Sequence, residues 1–226
     1  MKPIFNHDWT LSKEKAINLQ QKFASKITKT DQLSTIKFIA GTDIGYKKNS
    51  DKLIAAVVII DAHTLQVIES VTIETTATFP YISGLFSFRE IPPLLSAFEK
   101  IKTIPDLIVC DGQGYAHPRR FGLACHLGLL MDIPAIGCAK NMMIGKYKEP
   151  DVLRGSFVNI LDNDEIVGRI LRTQSAINPV YVSTGHRISL ETACNWILKL
   201  SPQYRLPETT RLADQLSKNN LYGVPS

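Results

Sequence analysis

The sequence predicts an α/β fold in which a mixed β-sheet carries helices on both faces. Three consecutive stretches rich in β-branched residues, separated by short turns, indicate antiparallel strands. Further along, short apolar runs alternate with helical patterns, which indicates parallel strands joined by helices. The chain has 226 residues, of which 44% are hydrophobic and 21% are charged, as in folded globular proteins. We therefore expect one domain that spans residues 1–226.

The first part of the chain is predicted to form one helix and an antiparallel meander. Apolar residues recur at roughly helical spacing between Asp8 and Thr30, with several lysines on the polar side. Three strand-like stretches follow, with short turns between them: Ile36 to Tyr46, Leu53 to Asp61 and Gln66 to Phe79.

The second part is predicted to alternate strands and helices. A helical run carries Pro92 and Pro93 near its start, since prolines are tolerated in a first turn. Wholly apolar runs, typical of strands covered on both faces, are Leu107 to Cys110 and Ala135 to Ala139, with a helix from Arg119 to Met131 between them. The remaining elements are a β pair (Gly155 to Leu161, Glu165 to Thr173), a strand from Val180 to Ser183, and helices near Ser189 to Leu200 and Pro207 to Asn219.

Composition and charge narrow the function classes. The longest apolar run, Leu53 to Ile60, is far shorter than the roughly 18 residues that span a bilayer. The first residues lack a secretory apolar core, so we expect a cytoplasmic protein without a membrane partner. The four cysteines form no C-x-x-C pair, which favours buried reduced thiols over a zinc site. The formal net charge of +5 favours a polyanionic partner.

Acidic residues at strand ends are the first candidates for chemistry. Asp43 lies in an apolar strand, and Asp111 ends another. In open α/β sheets ligands gather beyond the carboxyl ends of the strands. If the two strands are neighbours, the carboxylates converge and need a cation between them, for which Mg²⁺ is suited. Each aspartate taken alone is equally compatible with a turn or cap role.

Other residues carry weaker signals. Glu90 lies near a predicted helix start, where an acid often serves the helix dipole, and Lys140 follows a strand, where lysines are usually solvated. The loop from Phe79 to Phe86 is apolar and aromatic, so it is either tucked into the core or built for insertion into a partner. A dinucleotide fingerprint, a P-loop and a nucleophile elbow are all missing from the sequence.

Six segments together resemble the endonuclease V family, and the likeness runs in order from about Asp8 to Asn219. They are Gly41-Thr42-Asp43-Ile44-Gly45; Pro80-Tyr81-Ile82-Ser83-Gly84 with Phe88-Arg89-Glu90; Asp111-Gly112-Gln113-Gly114 with His117-Pro118-Arg119-Arg120-Phe121-Gly122; Ile133 to Lys140; Thr184-Gly185-His186-Arg187; and Tyr204 to Asp214. The resemblance implies a ribonuclease-H-like sheet with the first and fourth strands parallel at its centre.

The resemblance also implies an activity, a cofactor and partners. The family nuclease is metal-dependent, with Mg²⁺ as the cofactor and Mn²⁺ as a substitute. It recognises deoxyinosine in DNA and cuts the second phosphodiester bond on the 3′ side, leaving a 3′-hydroxyl and a 5′-phosphate. We expect it to act as a monomer. The alternative is a ribonuclease-H-like nuclease that prefers inosine in RNA or structured nucleic acid.

Residue roles follow from the same motifs. Asp43 and Asp111 match the metal-binding carboxylates, Glu90 the third catalytic acid and Lys140 the active-site lysine. The wedge, which fills the gap left by an extruded base, corresponds to Tyr81 flanked by Pro80 and Ile82, and here Ser83 stands where the family pattern has proline. The segments around the flipped base correspond to Gly84, Gly112, His117 and Gly122. Asp214 occupies a position where relatives carry Asp or His near the metal.

Overall fold

An eight-stranded mixed sheet forms the centre of the computed structural model, which describes residues 1–48 and 50–222. The strand order across the sheet is β3-β2-β1-β4-β5-β8-β7-β6. The strands are β1 (Phe38–Tyr46), β2 (Lys52–Asp61), β3 (Val67–Thr76), β4 (Leu107–Cys110), β5 (Ala135–Ala139), β6 (Phe157–Asp162), β7 (Glu165–Leu171) and β8 (Val180–His186). The helices are α1 (Lys13–Ala24), α2 (Phe86–Lys100), α3 (Leu123–Met131), α4 (Leu190–Lys199) and α5 (Glu208–Tyr222).

The pairing of strands confirms the predicted mixed sheet. β1, β2 and β3 form the antiparallel meander, and β1 pairs with β4 in parallel, as does β4 with β5. The other half of the sheet is antiparallel, because β8 runs opposite to β5 and pairs in turn with β7. The first and fourth strands are therefore adjacent and parallel near the centre.

Both faces of the sheet are covered, and strand β2 shows why its sequence is apolar throughout. Its alternate residues Ala55, Val57 and Ile59 pack in one core cluster together with residues of α2 and α3. The intervening residues, Ala56, Val58 and Ile60, pack in a second cluster with residues of α4 and α5. Successive side chains of a strand point to opposite faces, so a strand that is covered on both faces is apolar at every position.

Three helices differ from the sequence-based expectation. Helix α1 is shorter than the predicted span, because Ser12 caps it by accepting a hydrogen bond from the Lys15 N–H. Helix α3 begins only at Leu123, since Arg120, three residues earlier, has a φ of +56°, which is incompatible with a right-handed helix. Helix α2 begins at Phe86, so the prediction that Pro92 and Pro93 lie in a first turn is wrong: both are interior. The helix tolerates the lost N–H groups because one face of it is buried against the sheet.

Helix α5 approaches strand β1 very closely. A Cβ atom at Gly41 would lie 2.2 Å from the Thr209 carbonyl oxygen, so only glycine allows this contact. The close packing lays α5 along β1, the strand that carries Asp43.

The four cysteines are free and buried, as predicted. Among the residues that the structure describes, no helix is long and apolar enough to cross a membrane.

Candidate active site

Three aspartates from three elements meet near the carboxyl end of β4, beside β1 in the centre of the sheet. Thr42 on β1 pairs with Cys110 on β4, so Asp43 and Asp111 follow side by side on the two parallel strands. Asp214 reaches the same point from α5. One carboxylate oxygen of each lies within 4.8 Å of those of the other two. The strand pattern predicts convergence of the first two, and the family resemblance places Asp214 near the metal.

Asp43 is held by a residue of α5. The Ser217 hydroxyl donates a hydrogen bond to Asp43 Oδ2 at 2.6 Å. Burial raises the pKa of Asp43 to about 6, against the effect of this hydrogen bond, and the charges of Asp111 and Asp214 act in the same direction as burial. A carboxylate with a raised pKa in a group of like charges is one that a bound cation would stabilise.

Lys140 lies between two of the three carboxylates. Its Nζ atom is 2.6 Å from Asp111 Oδ2 and 3.5 Å from Asp214 Oδ1. Partial burial opposes its charge, but the hydrogen bond to Asp111 and the surrounding carboxylates raise the pKa of Lys140 above its ordinary value. The Arg205 guanidinium donates to the Lys140 carbonyl oxygen at 3.0 Å and orders the backbone there.

Glu90 lies on α2, in the wall that faces these carboxylates, rather than in the first helical turn. Its Oε1 atom accepts a hydrogen bond of 2.9 Å from the Tyr46 hydroxyl. Burial raises the pKa of Glu90 to about 8, against the Tyr46 hydrogen bond, and the charges of Asp43 and Asp111 add to the rise. The three-carboxylate group consists of the aspartates and does not include Glu90.

The donor set fits a divalent metal ion. Ionised carboxylates on separate elements, with oxygens close enough to share one ion, are the ligands that hard cations such as Mg²⁺ and Mn²⁺ prefer. The ammonium group of Lys140 already lies against two of them, which shows that a positive charge is accommodated at this point.

The apolar loop between β3 and α2 has buried ends and an exposed tip. Phe79 and Leu85 are 3% and 1% exposed, whereas Tyr81 is 70% exposed. Arg89 donates to the Phe79 carbonyl at 2.6 Å and so holds the first end. The Tyr81 ring contacts Phe86 edge-on, with centroids 4.7 Å apart. The ends of the loop are therefore part of the core, as one sequence-based alternative predicts, and insertion of the exposed tip into a partner stays a prediction.

A cavity of about 550 Å³ lies beneath this loop. Five of the residues that the motifs assign to the base pocket and its wedge line it: Tyr81, Gly84, Gly112, His117 and Gly122. Pro80 and Ile82 flank Tyr81 in the loop without lining the cavity. A second cavity, of about 330 Å³, is lined by the three aspartates, and the residues that line both cavities are Glu90, Asp111, Leu123 and Lys140. The candidate base pocket and the candidate metal centre are thus neighbours.

His117 is buried and its proton can be assigned. The Arg119 backbone N–H donates to Nδ1, so Nε2 carries the hydrogen and donates to the Gly84 carbonyl at 3.0 Å. Burial lowers the pKa of His117 to about 4, and the charge of Arg119 acts in the same direction. The imidazole is neutral at physiological pH and shapes the pocket without adding charge.

The comparison with known sequences identifies the family. Residues 21–215 match the Endonuclease V family. The chain is 47% identical over 218 residues to Endonuclease V of Nostoc punctiforme, which covers 96% of this chain and 99% of that relative. This chain belongs to the endonuclease V family.

Solved structures of endonuclease V proteins share the fold. The Streptomyces avermitilis protein superposes with a TM-score of 0.90 at 41% identity over the full length of both chains. Endonuclease V of Ciona intestinalis, solved with a 24mer DNA containing an inosine followed by a ribo-adenosine, has a TM-score of 0.84 at 25% identity, covering 94% of this chain and 98% of that one. Membership in the endonuclease V family makes this chain a nuclease.

Several supporting residues of this endonuclease V site were not recognised in the sequence. Ser217 could have been found, because it lies three residues after Asp214 on a predicted helix and so on the same face. Tyr46 and Gln20 left no such signal. Tyr46 reaches Glu90 from a strand, and Gln20 reaches the base pocket from α1, through contacts that only the tertiary fold creates.

Proposed function

We propose that this nuclease initiates repair of deaminated DNA by recognising deoxyinosine. It hydrolyses the second phosphodiester bond 3′ to the lesion and leaves a 3′-hydroxyl and a 5′-phosphate. The observation that carries the proposal is the adjacency of two cavities, one able to hold a nucleoside and one lined by three aspartates, with an exposed tyrosine on the rim. The inosine-containing DNA bound by the Ciona intestinalis relative supports the choice of substrate.

Catalysis is proposed to need Mg²⁺, for which Mn²⁺ would substitute. Asp43 and Asp111 would hold the ion, and Asp214 completes the group of oxygens. Bound there, the ion supplies Lewis-acid stabilisation of the charge that develops on the scissile phosphate. The chain provides the rest of the machinery.

Lys140 and Glu90 have distinct proposed roles. The Lys140 ammonium, on the shared wall of the two cavities, stabilises negative charge on the phosphate. Glu90 Oε1 is engaged by Tyr46, so Oε2 is the oxygen available to hand a proton to the leaving 3′ oxygen. Because the base sits in one cavity and the reacting phosphate in the other, the cut falls at a bond displaced from the lesion.

Base recognition is proposed to follow extrusion of the nucleotide. Tyr81, flanked by Pro80 and Ile82, fills the vacated space in the stack, and hypoxanthine occupies the cavity lined by Gly84, Gly112 and Gly122. Both ring nitrogens of His117 are already hydrogen-bonded. Backbone N–H groups therefore read the O6 and N7 acceptors, and the 6-amino group of adenine finds no acceptor in their place.

The test is cleavage of a labelled duplex that contains one deoxyinosine, with and without Mg²⁺. The matched control is the same duplex with adenine at that position. We expect Mg²⁺-dependent cleavage of the inosine strand alone, with both fragments mapped to the second bond on the 3′ side. A third duplex, with a ribonucleotide directly 3′ of the inosine, and an all-RNA version test the alternative substrate. Faster cleavage of RNA than of DNA would overturn the DNA assignment.

A further inference from the structure

Helix α1 reaches the candidate base pocket through one buried side chain, Gln20, which is 1% exposed. We propose that Gln20 is a positioning residue for the wedge loop, here the segment from Phe79 to Leu85, and that it holds Gly84 so that Tyr81 projects at the rim of the pocket. This inference rests on the proposed function. It adds a residue from α1, outside the six segments that carry the family resemblance.

The end of the wedge loop is fixed through a single carbonyl group. The Gly84 oxygen accepts hydrogen bonds from Gln20 Nε2 at 3.0 Å, His117 Nε2 at 3.0 Å and Arg119 Nη2 at 2.7 Å. We call these three side chains the Gly84 clamp. The glycine has a φ of +78°, and a Cβ atom there would lie 2.8 Å from Arg119 Nη2, so both the conformation and the space require glycine.

Gln20 is the member of the clamp that joins separate segments. Its Nε2 atom also donates to the Phe121 carbonyl at 3.0 Å, and its Oε1 atom accepts from Arg119 Nε at 2.5 Å. Both ends of the amide are used, and its orientation is unambiguous because a carbonyl can only accept and a guanidinium can only donate. One side chain of α1 thus ties the wedge loop to the loop that lines the base pocket.

The charge of Arg119 makes the arrangement dependent on Gln20. Within residues 1–48 and 50–222, Arg119 makes no ion pair, and its guanidinium donates to the Gln20 amide oxygen and the Gly84 carbonyl oxygen. Removing the Gln20 oxygen would leave Arg119 Nε without its acceptor, and removing the Gln20 amide would leave the Phe121 carbonyl without this donor. Buried groups that lose their partners rearrange, and here the rearranging atoms are those that hold Gly84.

External anchoring matters because the tip of the loop is not stiff by itself. Ser83 lacks the ring that would restrict φ, and Tyr81 is exposed. Arg89 holds the loop at Phe79 and the clamp holds it at Gly84, so the direction of Tyr81 depends on these two points together with the edge-on contact of its ring with Phe86. A wedge aromatic is needed most in a duplex, where it replaces the extruded base in the stack, and least in a single strand.

The experiment compares Gln20→Met with Gln21→Met. Methionine keeps the length of the side chain and removes its polar atoms, and Gln21 is the exposed neighbour on the same helix. Single-turnover cleavage is measured on inosine in duplex and in single-stranded DNA, beside a thermal melt. We expect Gln20→Met to lower duplex cleavage by about tenfold, as for a weakened stacking contact, with a much smaller loss on the single strand. Gln21→Met should match the wild type on both.

A second readout follows the wedge directly. In an Asp111→Asn background, 2-aminopurine placed beside the inosine of the duplex reports unstacking by its fluorescence. We expect Gln20→Met to reduce the fluorescence rise that accompanies binding. If Gln20→Met does not fold, Arg119→Lys takes its place, because lysine keeps the charge but has one nitrogen instead of the two that bind Gln20 and Gly84. The same duplex-selective loss is expected.

The outcomes separate this inference from the function beneath it. If the wild type does not cut inosine DNA, the proposed function fails. If the wild type cuts, and the folded variant loses duplex and single-strand activity equally or loses neither, the positioning role of Gln20 is overturned and the proposed function stands.

Discussion

Asp43 illustrates how the chemistry of a single residue depends on its neighbours. Its carboxylate is placed by β1, receives the Ser217 hydroxyl from α5 and faces Asp111 and Asp214. Burial and the charges of the two neighbouring carboxylates raise its pKa, and a cation bound among the three carboxylates would reduce their mutual repulsion. Lys140 supplies part of this relief at Asp111 and Asp214.

We predict that Asp43→Asn and Asp111→Asn each lower single-turnover cleavage of inosine DNA by about 100-fold or more, since each removes a charged oxygen ligand. Binding of inosine DNA in a gel-shift assay should remain, because the base pocket and the basic surface are intact. Asp164→Asn, in an exposed turn where φ is +63°, a value asparagine tolerates, is the matched control and should match the wild type. Near-wild-type turnover of either site variant in Mg²⁺ would contradict the two-carboxylate site.

At the scale of elements, the wedge loop is built from an ordered frame and a free tip. Its end residues belong to the core, and the backbone carbonyls of Phe79 and Gly84 accept hydrogen bonds from side chains. The high exposure of Tyr81 argues against a core role for its ring. The loop therefore has the structure expected of a segment that inserts into a partner.

Tyr81→Ala should impair cleavage of inosine in duplex DNA by roughly tenfold or more, because base–aromatic stacking is worth about 1–3 kcal/mol. Cleavage of inosine in single-stranded DNA should fall less. Tyr81→Phe should retain most duplex activity. Ser83→Pro should leave single-strand cleavage unchanged and should not lower duplex cleavage. A thermal melt accompanies the assays. Equal losses on both substrates together with a lowered melting temperature would refute the wedge role.

A second prediction at this scale concerns the contact between β1 and α5. Gly41→Ala would force the Thr209 backbone away and is expected to cost about 1–3 kcal/mol or more. Because α5 carries Asp214 and Ser217, the stabilisation of the fold by added Mg²⁺, measured as a shift in melting temperature, should also shrink. Gly155→Ala is the control: a Cβ there meets nothing within 4 Å, but the φ of +88° disfavours alanine, so this variant should also lose stability yet keep the full Mg²⁺ shift. An unchanged shift in Gly41→Ala would show that α5 contributes nothing to metal binding.

At the scale of the whole molecule, basic charge is spread unevenly. Five lysines lie between Ser12 and Thr30 against one acidic residue, Glu14, in a chain whose formal net charge is +5. Helix α1, which carries three of these lysines, also contacts the wedge loop through Gln20. A polyanion bound at the pocket would thus lie near the most basic segment of the chain.

We predict that raising the salt concentration weakens binding of inosine DNA steeply, because lysine and arginine contacts to phosphates release counterions. The preference for inosine over adenine should change much less, since selectivity comes from the pocket rather than from phosphate contacts. Binding isotherms for the matched inosine and adenine duplexes at several salt concentrations test this. If affinity and selectivity fall in parallel as the salt concentration rises, phosphate contacts and the base pocket do not have the separate roles proposed for them.

A chain of hydrogen bonds through His7 and His126 makes the stability of the fold depend on pH. The Asp8 carbonyl can only accept, so His7 Nδ1 donates to it at 2.7 Å and His7 Nε2 accepts from His126 Nε2 at 2.8 Å. The Ser87 hydroxyl then donates to His126 Nδ1 at 3.0 Å. This order requires both rings to be neutral. Burial lowers the pKa of His126 well below its ordinary value, with the His7 charge acting in the same direction, and burial also lowers the pKa of His7.

At His7 and His126 the unfolded chain therefore binds more protons than the folded one below a pH of about 6.5, so the contribution of these two histidines to stability falls as the pH drops through that range. The raised pKa values of Asp43 and Glu90 act in the opposite direction. Each such histidine contributes a slope of up to about 1.4 kcal/mol per pH unit. His126→Phe, which keeps a ring in the aromatic cluster, should make the dependence of the unfolding free energy on pH shallower between pH 6.5 and 4. Urea unfolding of both proteins at several pH values measures this, and parallel curves would refute it.

The sequence by itself determined the fold class and the two strand-borne aspartates. Apolar periodicity reports which faces are buried, and β2 is readable because burial on both faces leaves it wholly apolar. The family motifs supplied Glu90, Lys140 and the wedge loop, whose residues surround two adjoining cavities. Periodicity also predicts the helix that carries Asp214 and Ser217, although not where it packs.

Only the tertiary structure decided what surrounds those residues. Helix α2 begins at Phe86, so Pro92 and Pro93 are interior residues and Glu90 lies after the first turn. This starting point depends on packing rather than on local preference. The approach of Asp214 to the other two aspartates, the Ser217 hydrogen bond to Asp43 and the Gln20 hydrogen bond to Gly84 join residues more than sixty positions apart. Contacts between distant segments depend on how whole elements pack together, for example on the close backbone approach of Gly41 to Thr209. A local pattern of residue types does not predict that packing.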